Sequence, residues 1–135
     1  MVDDRSEKRS GRWMSQADHD LVAAKANADE GRHALACFLC HQAAEKSVIA
    51  YLYEHGVEQV WGHALADLCE DACAFDQSFD LIKSIAMLLD RHFLGARYPS
   101  SIPGGVPADS YDDLDSERAL EIAGDVVQSV REKLD

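Results

Sequence analysis

Residues 32–55 lie between Gly31 and Gly56 and contain no proline and no internal glycine. Within them, Ala34, Leu35, Phe38, Leu39, Ala43, Ala44, Val48, Ile49 and Leu52 are apolar. At 100° per residue these positions point in several directions rather than along one stripe, which predicts a helix surrounded by neighbours. A helix apolar on most sides must be covered, so this one segment fixes what the rest of the chain has to supply. No strand alternation and no hairpin signal is found to supply the cover as a sheet.

The remaining segments read as covering helices. A first helix is predicted over about Ser15–Ala28, with Ser15 as N-cap, Asp18 in its first turn and Leu21, Ala24 and Ala28 at helical spacing. A short third helix follows over about His63–Ala74, carrying Leu65, Leu68 and Cys69. A fourth spans about Ser78–Ala96, ending before Pro99, which disfavours helical backbone at Tyr98. The last spans about Leu114–Lys133, with Leu120, Ala123, Val126, Val127 and Val130 as its stripe. Residues 1–12 are nearly devoid of apolar side chains and read as a disordered N-terminal arm, with the ordered domain over 13–135. Residues 99–113 hold all three prolines and the Gly104–Gly105 pair and read as one long loop. The expected architecture is all-α: an up-and-down bundle of four main helices plus one short helix.

Charge narrows the function. Asp+Glu 25 against Lys+Arg 13 gives a formal net charge of −12, which argues against a surface built to neutralise DNA or RNA phosphates. Apolar runs are too short to span a bilayer, and the first residues lack the apolar core of a secretory signal. A cytoplasmic location away from membranes is the expectation. Cys37/Cys40 and Cys69/Cys73 form two close pairs, but both sit in helix-forming sequence without the turns of zinc-binding pairs. Core thiols are expected, with no metal and no cofactor.

Two groups of polar residues exceed what a bundle requires. On the central helix, His41, Gln42, Glu45 and Lys46 interleave with Phe38, Ile49 and Leu52 on one side. Burying them unpaired would cost on the order of 1–3 kcal/mol each, so they need partners. The second group closes the fourth helix as Asp90-Arg91-His92-Phe93-Leu94-Gly95-Ala96-Arg97-Tyr98-Pro99. There Arg97 is a bidentate donor suited to phosphate or carboxylate, and Tyr98 offers a stacking face. His63 at the start of the third helix is a further candidate; the helix dipole there favours its neutral ring.

Taken in order, Trp13, Ala17 and Asp20-Leu21, then Phe38 and Gln42-Ala-Ala-Glu45-Lys46, then His63, Leu65 and Leu68, then Ala96-Arg97-Tyr98-Pro99, the chain resembles the HEPN family (higher eukaryotes and prokaryotes nucleotide-binding domain). The resemblance covers Trp13 to the end. It implies a four- or five-helix bundle, a homodimer, and a partnership with a minimal nucleotidyltransferase in a toxin–antitoxin-like system, with a nucleotide as further ligand. The candidate ligand residues are Gln42, Glu45, Lys46, His63, Arg97 and Tyr98. Other members are metal-independent endoribonucleases that carry an arginine and a histidine separated by four to six residues. This chain departs from that pattern. No histidine follows Arg97, His92 adjoins Arg91 directly, and Arg12 with His19 is a match that chance alone produces among eight arginines and six histidines. A non-catalytic binding module is therefore the first reading. A ribonuclease with His63 or His92 as base and Arg97 as phosphate clamp is the second.

Overall fold

The computed structural model describes residues 4–60 and 64–134. Its helices are α1 (Asp4–Asp29), α2 (His33–Glu54), α3 (Leu65–Ala72), α4 (Phe79–Ala86), α5 (His92–Gly95), α6 (Pro107–Ser110) and α7 (Asp113–Arg131), with 3-10 turns at Met87–Leu89 and Pro99–Ser101. Among the described residues there is no strand, and no helix is long and apolar enough to cross a membrane. The all-α bundle expected from the sequence is the fold that forms.

α2 is the central rod, buried on nearly every side. α1 lies along one flank and α7 along another, while α3, α5 and α6 close the remainder and α4 packs on α3 and α7. α1 covers α2 through Ser10, Met14, Ala17, Asp20 and Ala24, spaced three or four apart so that they form one stripe. Small side chains dominate this contact, as does the line Ala36, Cys40, Ala43, Ala44 and Ala50 on α2. α7 contributes Ala119, Ala123, Val126, Val127 and Val130. The turn between α1 and α2 passes through Gly31 at φ 82°, and α2 ends at Gly56 at φ 86°, both left-handed conformations that glycine adopts without a Cβ penalty.

Three boundaries differ from expectation, and each difference has a tertiary cause. α1 begins at Asp4, so residues 4–12 are helical rather than a disordered arm, and Ser15 lies in mid-helix. The extension is anchored by Arg9, which donates to the Glu58 carbonyl at 2.9 Å and lies 4.8 Å over the Tyr53 ring, and by the buried Ser10. Residues 1–3 lie outside the described residues. The fourth helix does not run unbroken to Ala96. It tightens to 3-10 geometry at Met87–Leu89 and resumes as α5, and the break places the Asp90 side chain against α2 and α3. The stretch 99–113 is not a bare loop: it forms the Pro99–Ser101 turn and α6, with Pro107 buried. α7 then starts with a reciprocal capping box, Asp112 and Asp115 each accepting the other's backbone N–H at 3.0 Å.

Candidate functional site

The site is built from the end of α5 and the first half of α2. Gly95 and Ala96 are buried, which fixes the chain as it leaves α5 and turns the next two side chains outward. Tyr98 is extended at φ −122° and ψ 128°, as a residue preceding proline should be. Arg97 and Tyr98 are both exposed, Tyr98 at 43%. The Arg97 guanidinium carbon sits 4.5 Å over the Phe38 ring and 5.0 Å over the Tyr98 ring. Two aromatic faces thus orient the cation, and no carboxylate among the described residues pairs with it. Its N–H donors face water, ready for a planar anion.

Phe38, Gln42 and Lys46 follow one another at four-residue spacing along the same line of α2. Gln42 is half-buried, one turn from the ring on which Arg97 rests. Glu45 is buried at 8% exposure. Lys46 is held by a carboxylate of α1, its Nζ donating to Asp20 Oδ2 at 2.5 Å, and Gln16 Nε2 donates to the other oxygen of Asp20 at 2.9 Å. Lys46 is therefore tied to α1, whereas Arg97 is not tied to any charge. Of the remaining candidates, His63 lies outside the described residues.

Two histidines that the sequence singles out only loosely are fully integrated into the packing. His41, at the middle of α2 and completely buried, shares a 3.0 Å hydrogen bond between Nε2 and Asp90 Oδ1. Asp90 also accepts the backbone N–H groups of Leu65 at 2.6 Å and Ala66 at 3.1 Å, satisfying the first donors of α3. Because an ionised carboxylate only accepts, His41 donates from Nε2. Burial lowers the His41 pKa from its ordinary value, against the opposing pull of Asp90. His92 is also buried, its Nδ1 3.1 Å from the Tyr111 hydroxyl, and burial pushes its pKa down to about 4, helped by the Arg91 charge. A ribonuclease of the arginine–histidine kind needs a solvent-reaching imidazole beside its cation. Neither His41 nor His92 presents one beside Arg97.

Sequence reasoning missed Asp90 and Tyr111 as partners. The break in the fourth helix is the signal that relates to Asp90, but its partners lie 25 and 49 residues away in the chain. Three of the four cysteines pack as core: Cys37, Cys40 and Cys69 are fully buried, and burial pushes each thiol up to about 12, while Cys73 is half-buried at its edge. Among the described residues no group of three or more His, Cys, Asp and Glu side chains is placed to hold a metal ion.

A family model described as the HEPN domain matches residues 10–133. No curated protein matches the chain. Solved structures do. The protein TT1696 from Thermus thermophilus is 33% identical with a TM-score of 0.87, the match covering 93% of this chain and 98% of that one. ST0689, an archaeal HEPN homologue, is 30% identical with a TM-score of 0.77, over 94% and 98% of the two chains. An HEPN domain protein from Thermotoga maritima is 27% identical with a TM-score of 0.72, over 91% and 97%.

Proposed function

The chain belongs to the HEPN domain family, and on that premise we propose that it is a non-catalytic binding module that works with a minimal nucleotidyltransferase as partner. The observation that carries this reading is Arg97: an exposed guanidinium braced by Phe38 and Tyr98 and without a counter-charge in its own chain among the described residues. A cation so placed on a chain of net charge −12 suits a carboxylate or phosphate brought by a partner. Gln42, one turn along α2, extends the contact, and Glu45, Lys46 and His63 complete the candidate ligand set with Tyr98.

The module acts as a homodimer. Leu81, Ile85 and Leu88, at helical spacing on the outer side of α4 and the turn after it, are exposed at 73%, 43% and 58%, which supports a second copy covering them. If the partner transfers a nucleotidyl group, Tyr98 is the better acceptor. Its hydroxyl attacks the α-phosphorus of a nucleoside triphosphate, pyrophosphate leaves, and the phenolic proton passes to a base. Tyr98 is exposed and its hydroxyl has no hydrogen bond to a protein group among the described residues, whereas Tyr111 is half-buried with its hydroxyl against His92.

A metal-free RNA cleavage assay on purified protein tests the reading. No cleavage is expected. Cleavage that disappears in Arg97→Ala would establish the ribonuclease instead. Mass spectrometry after incubation with the nucleotidyltransferase and ATP should find any added nucleotidyl group on Tyr98.

A further inference from the structure

A groove of about 640 Å³ lies where α1 meets the ends of α2 and α7. Glu7, Gly11, Met14 and Asp18 line it at helical spacing, so they share one face of α1. Ser10 borders it from the same helix, Glu54 from the last turn of α2, and Arg131 and Leu134 from the end of α7 and just beyond. From Glu7 to Asp18 the lining extends roughly 16 Å at the helical rise. The volume falls in the range of small-molecule sites, roughly 300–1,000 Å³.

Three features of this lining are not explained by packing. Ser10 is only 3% exposed, yet its hydroxyl has no hydrogen-bond partner among the described residues. A buried hydroxyl left unpaired costs on the order of 1–3 kcal/mol, and this one borders the groove. Gly11 sits inside a long helix, where glycine costs about 1 kcal/mol relative to alanine. A Cβ there would meet nothing within 4 Å, so no neighbour requires its absence, and what the missing side chain leaves is open floor. Carboxylates also outnumber cations: Glu7, Asp18 and Glu54 line the groove with Arg131, which is bonded to Asp18. Glu54 is buried at 6% exposure, and Glu7 has no ion-pair partner among the described residues. Surplus negative charge, an acceptor hydroxyl and the apolar side chains of Met14 and Leu134 thus lie together along an elongated space.

The structure assigns this groove to a linear aliphatic polyamine, with ammonium groups at Glu7, Ser10 and Glu54 and methylenes on Met14 and Leu134 across the bare backbone of Gly11. A divalent cation needs oxygens gathered at one point, and among the described residues no group of three or more His, Cys, Asp and Glu side chains is so placed. Charges spaced along an alkyl chain need no such focus, and the gap at Gly11 suits an unbranched chain. The site shares no residue with the surface around Arg97 and does not depend on the function proposed for it.

Titration calorimetry at fixed salt, with spermine, butylamine, magnesium and a tetralysine peptide as probes, tests the site on the wild-type protein, Gly11→Leu, Glu7→Gln and Glu121→Gln. Spermine should bind the wild type more tightly than any other probe. Gly11→Leu fills the floor and removes a helix-weakening glycine, so it should melt no lower than the wild type yet bind spermine at least about tenfold more weakly. Glu7→Gln should weaken spermine by about threefold, as expected for one exposed charge pair. Glu121→Gln removes the same charge from an exposed position of α7 outside the groove and should leave the affinity unchanged. No heat with spermine, or an unchanged affinity in Gly11→Leu, overturns the proposal. An equal loss in Glu7→Gln and Glu121→Gln also overturns it, reducing the binding to diffuse attraction by a chain of net charge −12. Tighter binding of magnesium or of the peptide than of spermine overturns the ligand class.

Discussion

Asp90 and Arg97 stand seven residues apart on the same broken stretch of helix, and they use their charge in opposite ways. Asp90 directs both oxygens inward, to the buried imidazole of His41 and to two backbone N–H groups at the start of α3. Arg97 directs its guanidinium outward and touches its own chain through the faces of Phe38 and Tyr98. One charge joins three elements of the fold and leaves nothing over for a ligand. The other contributes little to the fold and leaves its donors available. The contrast suggests a way to separate structural from binding residues in a small bundle: ask of each charge whether its partners are already inside the molecule. Lys46, tied to Asp20, sits nearer the Asp90 pattern, and Arg12 nearer that of Arg97.

The harshest test of this contrast is to remove Asp90. Asp90→Ala leaves His41 buried without its carboxylate and uncaps α3. The combined cost should be about 4 kcal/mol by urea denaturation, from the loss of a charge-assisted hydrogen bond and a cap. A loss under about 1 kcal/mol, the typical worth of a single cap, would show that Asp90 is not the junction described.

Acid tests the same buried region without mutation. The folded pKa of His92 is depressed to about 4 from 6.5, and that of His41 is also lowered. Below pH 6.5 the unfolded chain takes up protons that the folded chain refuses. Stability from these rings is thus complete above pH 6.5 and declines as pH falls towards 4. For His92 alone the loss amounts to about 3 kcal/mol across that window. Melting curves between about pH 7.5 and 4.5 read it directly, and His92→Gln should flatten the slope.

A carboxylate that caps a helix at the surface should fall between the two extremes. Asp112 caps α7 as Asp90 caps α3, but it is exposed and hydrogen-bonds to backbone N–H groups without a buried imidazole as a further partner. Asp112→Ala should cost about 1 kcal/mol in the same denaturation assay. Arg97→Ala should have the smallest effect on stability, below about 1 kcal/mol, because an exposed cation over aromatic rings contributes little to folding.

The bundle was legible because its signals are local. Gly31 and Gly56 bracket the central helix, and the all-round apolar pattern of α2 announces its burial. What was not legible depends on partners far along the chain. The first residues of α1 look like a tail until Arg9 meets Tyr53 and, 49 residues on, Glu58, a distance periodicity does not sense. The fourth helix breaks after Ala86, where Asp90 is turned to cap a helix that lies earlier in the sequence. Arg97 was visible as a candidate through its place before Tyr98-Pro99, but its stacking on Phe38, in a different helix, is a property of the fold.

The central claim is that Arg97 works on a partner and not on its own fold. The direct measurement is the dissociation constant of a complex with a purified minimal nucleotidyltransferase, for wild type and Arg97→Ala at matched melting temperature. The account predicts a stable wild-type complex weakened at least about tenfold by the substitution, as expected for removing one charge-assisted contact. Equal affinities for the two proteins, or no complex with the wild type, would contradict it.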